Sequence, residues 1–285
     1  MKNKTIHVIL TAAGAIAAQG LACGSGHGPL FGMATPTNVK GGFSLDFGLM
    51  GRTGISDTGT MLRWMLGYGI TQDVQISVSA PYMFSSPSFA PARIGGMMSG
   101  SGDLEAIGAW RFHRQANSIG RRFESTVYGG VIAPGPQREA GMMGQLRKAP
   151  GVYTGLSTGM ASLSHYVWGG ISDAHFAESH GDRRADLLTY SFVWGYRPPA
   201  LRKEYPHWDW RFFGEAVGDH ASRVVRGGAP MPGTAGHQVF VGPSILGIRK
   251  NIAVEGGVQF PVYRNIGPML ARERLRFALN LSYFF

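Results

Sequence analysis

The chain has 285 residues, of which 43 are glycine, one is cysteine and only 15% are charged; a single cysteine excludes a disulfide scaffold and a multi-cysteine metal site. The formal charge is +10, but no zinc-finger spacing, helical basic stripe or ribonucleoprotein motif accompanies it, so an anionic membrane surface is the expected partner and nucleic acid is not. After the N-terminus no apolar run reaches the roughly 18 residues that a transmembrane helix needs, and the glycine-rich, charge-poor mix suits short strands and turns.

Lys2 and Lys4 precede an apolar run over residues 8–18, followed by Gly20, Leu21 and Ala22. This is the pattern of a secretory signal peptide over residues 1–22, cleaved after Ala22. Cys23 stands where a lipoprotein cysteine would, although Gly20 occupies the place where such signals carry Leu; lipidation and a free N-terminal Cys23 both stay open. Residues 23–40 are rich in Gly, Pro and Thr without periodicity. They read as an irregular arm or a short insert in a lumen.

From residue 41 to 285 alternation recurs. Phe43, Leu45, Phe47 and Leu49 interleave with Ser44, Asp46 and Gly48. Leu62, Trp64, Leu66 and Tyr68 interleave with Arg63, Met65 and Gly67. Further segments follow at 74–82, 103–112, 123–133, 152–160, 165–172, 188–196, 208–215, 239–246 and 252–262. The last residues are the clearest case. Leu275, Phe277, Leu279, Leu281, Tyr283 and Phe285 form one face; Arg276, Ala278, Asn280 and Ser282 form the other. A strand sends alternate side chains to opposite faces, so each segment has one greasy wall and one polar wall. Connections alternate between short (71–73, near Leu163, 247–250) and long (85–101, 134–150, 219–236). The expected fold is all-β: a transmembrane antiparallel β-barrel of about 12 strands over residues 41–285, in the outer membrane of a Gram-negative bacterium. Trp64, Trp110, Trp194, Trp208 and Trp210 fall on the apolar face and fit the interfacial aromatic belts.

The polar faces carry charges of both signs at mid-strand, and buried charges need partners or water. A wet lumen supplies both. Arg63, Arg111, Arg211 and Arg276 are expected to form the basic side of a constriction, and Glu105, Glu215 and Glu255 its acidic side. Gly48, Gly67, Gly69, Ser77, Ser79 and Gly257 leave room between them, and the arm is placed to occupy part of the bore. The expectation is a narrow, partly obstructed pore.

Tyr68-Gly69-Ile70-Thr71-Gln72-Asp73, running through 74–79 into Ala80-Pro81-Tyr82, resembles a hairpin of the outer-membrane proteins named for the meta pathway of phenol degradation. Gly102-Asp103-Leu104 followed by Arg111-Phe112 is similar to that family's next strand. The closing Leu281-Ser282-Tyr283-Phe284-Phe285 resembles the signal read by barrel-assembly machinery, with Tyr283 and Phe285 as its aromatic positions. The resemblance implies passage of small, often hydrophobic, compounds and carries no transport residue over by position.

Enzyme chemistry finds little support. Ser164 and His165 are adjacent and point to opposite faces; His207 shares a face with Asp209 but lies at a turn. No G-x-S-x-G, H-E-x-x-H or Walker-type loop is present. No catalytic residue and no cofactor is expected, and a barrel-embedded lipid hydrolase is a remote alternative. The other is a surface protein handling soft metal ions. Its ligands would be Met97, Met98, Met142 and Met143, thioethers suited to Cu(I), though such methionines also fill gaps between packed loops. Outer-loop cations, among them Arg183, Arg184, Arg223 and Arg226, suit lipopolysaccharide phosphates.

Overall fold

The computed structural model describes residues 28–54, 58–85, 103–118, 120–134, 149–203, 206–270 and 272–285. Its strands are β1 (Phe43–Thr53), β2 (Thr58–Gly69), β3 (Val74–Ser85), β4 (Leu104–Ser118), β5 (Arg121–Ala133), β6 (Gly151–Ala161), β7 (His165–Phe176) and β8 (Leu187–Tyr196). After them come β9 (Asp209–Ala221), β10 (Val225–Arg226), β11 (Ala229–Pro230), β12 (Gly236–Arg249), β13 (Ile252–Ile266) and β14 (Leu275–Phe284). Strands β10 and β11 form a separate small hairpin, and the other twelve close into one antiparallel barrel. Among the described residues no helix is long and apolar enough to cross a membrane.

Closure is made by β1 against β14, in register from Ser44 opposite Phe284 to Thr53 opposite Leu275. Phe43 and Phe285 finish the seam by exchanging backbone hydrogen bonds of 2.7 and 3.1 Å. Their rings stack with centroids 5.5 Å apart. A closed barrel leaves no unpaired edge, which is the condition for strands to stand in lipid.

Alternation decides which side is wet. On β14, Arg276, Ala278, Asn280, Ser282 and Phe284 are buried inside, while Leu279, Leu281, Tyr283 and Phe285 are exposed outside. The same holds around the wall, where Phe47, Trp64, Val78, Trp110, Val131, Phe192, Trp194 and Phe260 all face outward. An apolar surface of this extent suits lipid and not water. Trp208 and Trp210 stack at the foot of β9, centroids 5.4 Å apart. The short connections (70–73, 119–120, 162–164, 250–251) share one end with Phe43 and Phe285, the periplasmic end of such barrels. The 197–208 connection at this end is longer than alternation suggested and contains a short 3₁₀ turn at Pro199–Leu201.

Deleting Phe285 removes both its backbone pairing to Phe43 and the last outward aromatic of the seam. The folded, heat-modifiable band in outer-membrane fractions is expected to fall several-fold, with little change for a deletion of a residue within the 197–208 connection.

Candidate functional site

The lumen is occupied by the chain's own N-terminal segment. Residues 28–42 form no strand; they run from mid-barrel, beside Glu215, down to the periplasmic end beside Gly69 and Gln75, where they turn into β1. Leu30, Phe31 and Met33 are 3–5% exposed, and Leu30 and Phe31 pack with Val217 and Ala278 against Met50.

The segment is held mainly through its backbone. The carboxylate of Glu215, on β9, accepts three successive N–H groups: Leu30 at 3.0 Å, Phe31 at 2.8 Å and Gly32 at 2.5 Å. Ser244, across on β12, donates its hydroxyl to the same carboxylate. Those four donors, two to each oxygen, fill the roughly four acceptor sites of a carboxylate. Successive N–H groups wrapped around an anion form a nest. Gly32 is needed there, because a Cβ would lie 2.1 Å from a methyl of Val193.

Further along the segment, towards the periplasmic end, the wall supplies hydroxyls. Ser191 accepts from the Met33 N–H at 3.0 Å. Tyr128 and Ser157 both donate to the Ala34 carbonyl, and Thr126 donates to the Thr35 carbonyl at 2.8 Å. Thr35 donates to Glu124 at 3.2 Å, and Asn38 donates its N–H to Gln75 at 2.7 Å. The wall is hollowed to match: a Cβ on Gly170 would meet Met33 at 2.6 Å, and one on Gly257 would meet Phe31 at 2.8 Å. Between the segment and β2–β5 there remains a cavity of about 100 Å³, bordered by Arg63, Glu105, Tyr128 and Tyr153.

The seven charged residues expected at a constriction all face the lumen, but they are strung along it and form no single ring. Arg63 and Glu105 pair at 3.5 Å, both buried. Glu215 anchors the N-terminal segment. Glu255 accepts from Asn280 at 3.3 Å. Arg111 belongs to the periplasmic end, 2.8 Å from Asp73 and 3.3 Å from Glu124. Arg114 and Arg122 converge on the same Glu124, at 3.6 and 3.2 Å. A bulge between Trp110 and His113 lets both Arg111 and Arg114 face inward, since an extra residue reverses the alternation. Arg211 shares Asp209 with Arg197, at 3.1 and 2.6 Å. Arg276 lies at the opposite, outer end, 2.5 Å from Glu273 and 2.6 Å from Asp219, with its Cζ 3.6 Å from the Phe240 ring centre.

Other expectations fall as follows. Arg183 and Arg184, read as outer-loop cations, are paired to Asp186 (2.8 Å) and Asp103 (2.6 Å). Arg184 also lies over the Phe176 ring at 3.8 Å, so it caps the barrel interior. His207 is exposed at the turn before β9, and Asp209 is engaged by arginines. Met97, Met98, Met142 and Met143 lie outside the described residues, as do the signal peptide and Cys23. Among the described residues no three His, Cys, Asp or Glu side chains are grouped to hold a metal.

No family model matches the sequence, and no curated protein matches it. Solved structures do. An outer-membrane channel from Pseudomonas putida F1 superimposes with a TM-score of 0.64 at 12% identity, covering 91% of this chain and all of that one. The NanC porin matches at 0.48 and 9% identity, over 84% of this chain and 98% of that one. The KdgM porin matches at 0.47 and 9%, over 85% and 99%. Identity this low speaks for architecture alone, and it agrees with the outward apolar wall and the closed sheet: the chain has the fold of a twelve-stranded bacterial outer-membrane β-barrel.

Proposed function

We propose that this barrel is an outer-membrane channel for small, often hydrophobic, solutes, and that its N-terminal segment keeps conduction slow by occupying the bore. The observation that carries the reading is the docking of residues 30–38 on lumen-facing groups of the barrel wall, above all Glu215. The cavity that remains beside the segment is about 100 Å³, smaller than the roughly 300–1,000 Å³ of small-molecule sites. The segment and the Arg63–Glu105 pair together would make the narrow passage. The preference for hydrophobic compounds rests on the resemblance to the phenol-degradation family; the channel reading agrees with the Pseudomonas putida outer-membrane channel of similar fold.

Planar-bilayer recording tests this. The intact protein is expected to give small, infrequent steps, and removal of residues 24–40 to raise the conductance several-fold towards that of an open twelve-stranded barrel. A large, steady conductance in the intact protein, unchanged by the deletion, would overturn the reading.

A further inference from the structure

The periplasmic mouth of the barrel holds a second cavity, of about 440 Å³, within the range of small-molecule sites. Its cations come from three separate parts of the wall. Arg114, Arg121 and Arg122 stand on the β4–β5 hairpin, Arg197 follows β8, and Arg211 stands on β9. Among the described residues, the carboxylates within ion-pair distance of these five are Glu124 and Asp209, and Glu124 is shared with Arg111 as well. The cavity is therefore cationic. Arg114 and Arg122 remain 47% and 36% exposed at the side chain while paired, so they keep N–H groups to offer. Arg121 has no ion-pair partner among the described residues.

The opposite wall is aromatic. Tyr166 and Trp168 stack with centroids 5.3 Å apart and planes within 18°, and both line the cavity. Phe213 packs 6.3 Å from each. Trp168 is 3% exposed, and its indole Nε1 is buried without a hydrogen-bond partner. Arginines bind carboxylates through two parallel N–H groups, and stacked rings favour a further ring. The volume exceeds what an inorganic anion needs. Outer-leaflet phosphates lie at the other end of the barrel.

We infer that this vestibule binds small aromatic carboxylates, with the ring against Tyr166 and Trp168 and the carboxylate among Arg114, Arg121, Arg122 and Arg197. The inference rests on the channel reading for its purpose, since a cationic vestibule at the exit would retain aromatic acids as they cross, but binding is measurable without transport. Calorimetric titration of the detergent-folded protein with benzoate is the experiment, with cyclohexanecarboxylate, inorganic phosphate and toluene as comparison ligands.

Benzoate is expected to bind. Cyclohexanecarboxylate should bind several-fold more weakly for lack of a π-face, and toluene and phosphate more weakly still. The double variant Arg114→Gln/Arg121→Gln leaves Glu124 paired by Arg111 and Arg122. It should lower benzoate affinity at least tenfold, about the effect of one charge-assisted hydrogen bond, while keeping heat-modifiable mobility. Absence of benzoate binding, phosphate binding as tight as benzoate, or an unchanged double variant would overturn the assignment. Benzoate binding in a protein whose conductance ignores the loss of residues 24–40 would retire the channel reading and leave the site standing.

Discussion

Glu215→Ala should release the N-terminal segment and raise the single-channel conductance towards that of the protein lacking residues 24–40. In the native barrel that one carboxylate takes the N–H groups of Leu30, Phe31 and Gly32. Hydrogen bonds to a charged group contribute about 1.5–3 kcal/mol each. The three donors would be rehydrated once the segment undocks, and alanine also relieves a buried charge, so the net loss is smaller than the sum. A net loss of about 3 kcal/mol raises the undocked population by more than a hundredfold. Glu215→Gln keeps an acceptor oxygen but loses the charge and turns an N–H₂ towards the nest, so it should fall between. Serine at 244 donates to the same carboxylate, and Ser244→Ala should have a small effect because the three backbone bonds remain. A Glu215→Ala protein with native conductance would show that the segment is held by its apolar contacts instead.

The second large effect is on stability. Arg276→Ala should lower the temperature at which the folded band is lost in seminative electrophoresis, by more than any other single arginine of the lumen. Arg276 sits between Asp219 and Glu273, 1% and 2% exposed at the side chain. Its removal leaves those two carboxylates facing each other without the guanidinium between them, with Arg52 3.4 Å from Glu273 and Thr189 donating to Asp219. Removing one partner of a buried ion pair costs about 3–5 kcal/mol. Part of that cost falls on the loop between β13 and β14, because Glu273 is in that loop and Arg264 donates to its carbonyl. Arg276→Lys keeps the charge but loses the guanidinium's two-sided grip on the carboxylates and its stacking on Phe240, so it should lie closer to wild type. Arg211→Ala is the comparison: Asp209 would still have Arg197 at 2.6 Å.

Alternation made the wall legible in sequence. In β14 and β9 the period of two separates lipid from lumen without error, since one misplaced register would put Arg276 or Glu215 in hydrocarbon. What period two cannot show is height. Arg111, Glu215 and Arg276 share a side of the wall, yet strand tilt and stagger spread them from one mouth to the other. A ring of charges was therefore not readable from their common face. The bulge at Trp110–His113 was equally hidden, and with it the turning of Arg114 inward onto Glu124. The N-terminal segment has no periodicity at all, so its path depends on side chains far along the chain. One trace was available: Thr126, Ser157 and Ser191 place a hydroxyl inward on three strands from β5 to β8, and those hydroxyls now meet the backbone of Met33, Ala34 and Thr35. Large inward aromatics such as Trp168 and Phe240 are not needed in an empty pore; they follow from a bore that is filled.

The partners of the N-terminal segment also set an order of events in assembly. Leu30, Phe31 and Gly32 meet a residue 183–185 positions later in the chain, so their anchor is missing until β9 exists, although Gln75, Thr126, Ser157 and Ser191 on earlier strands already hold the rest of the segment. It joins β1 directly, and β1 is one lip of the seam that β14 must zip shut. Contacts so distant in sequence form late because the intervening chain must first give up its freedom. The N-terminal segment is thus among the last parts to settle: its Glu215 anchor and the Phe43–Phe285 pairing at its foot both wait on strands made late.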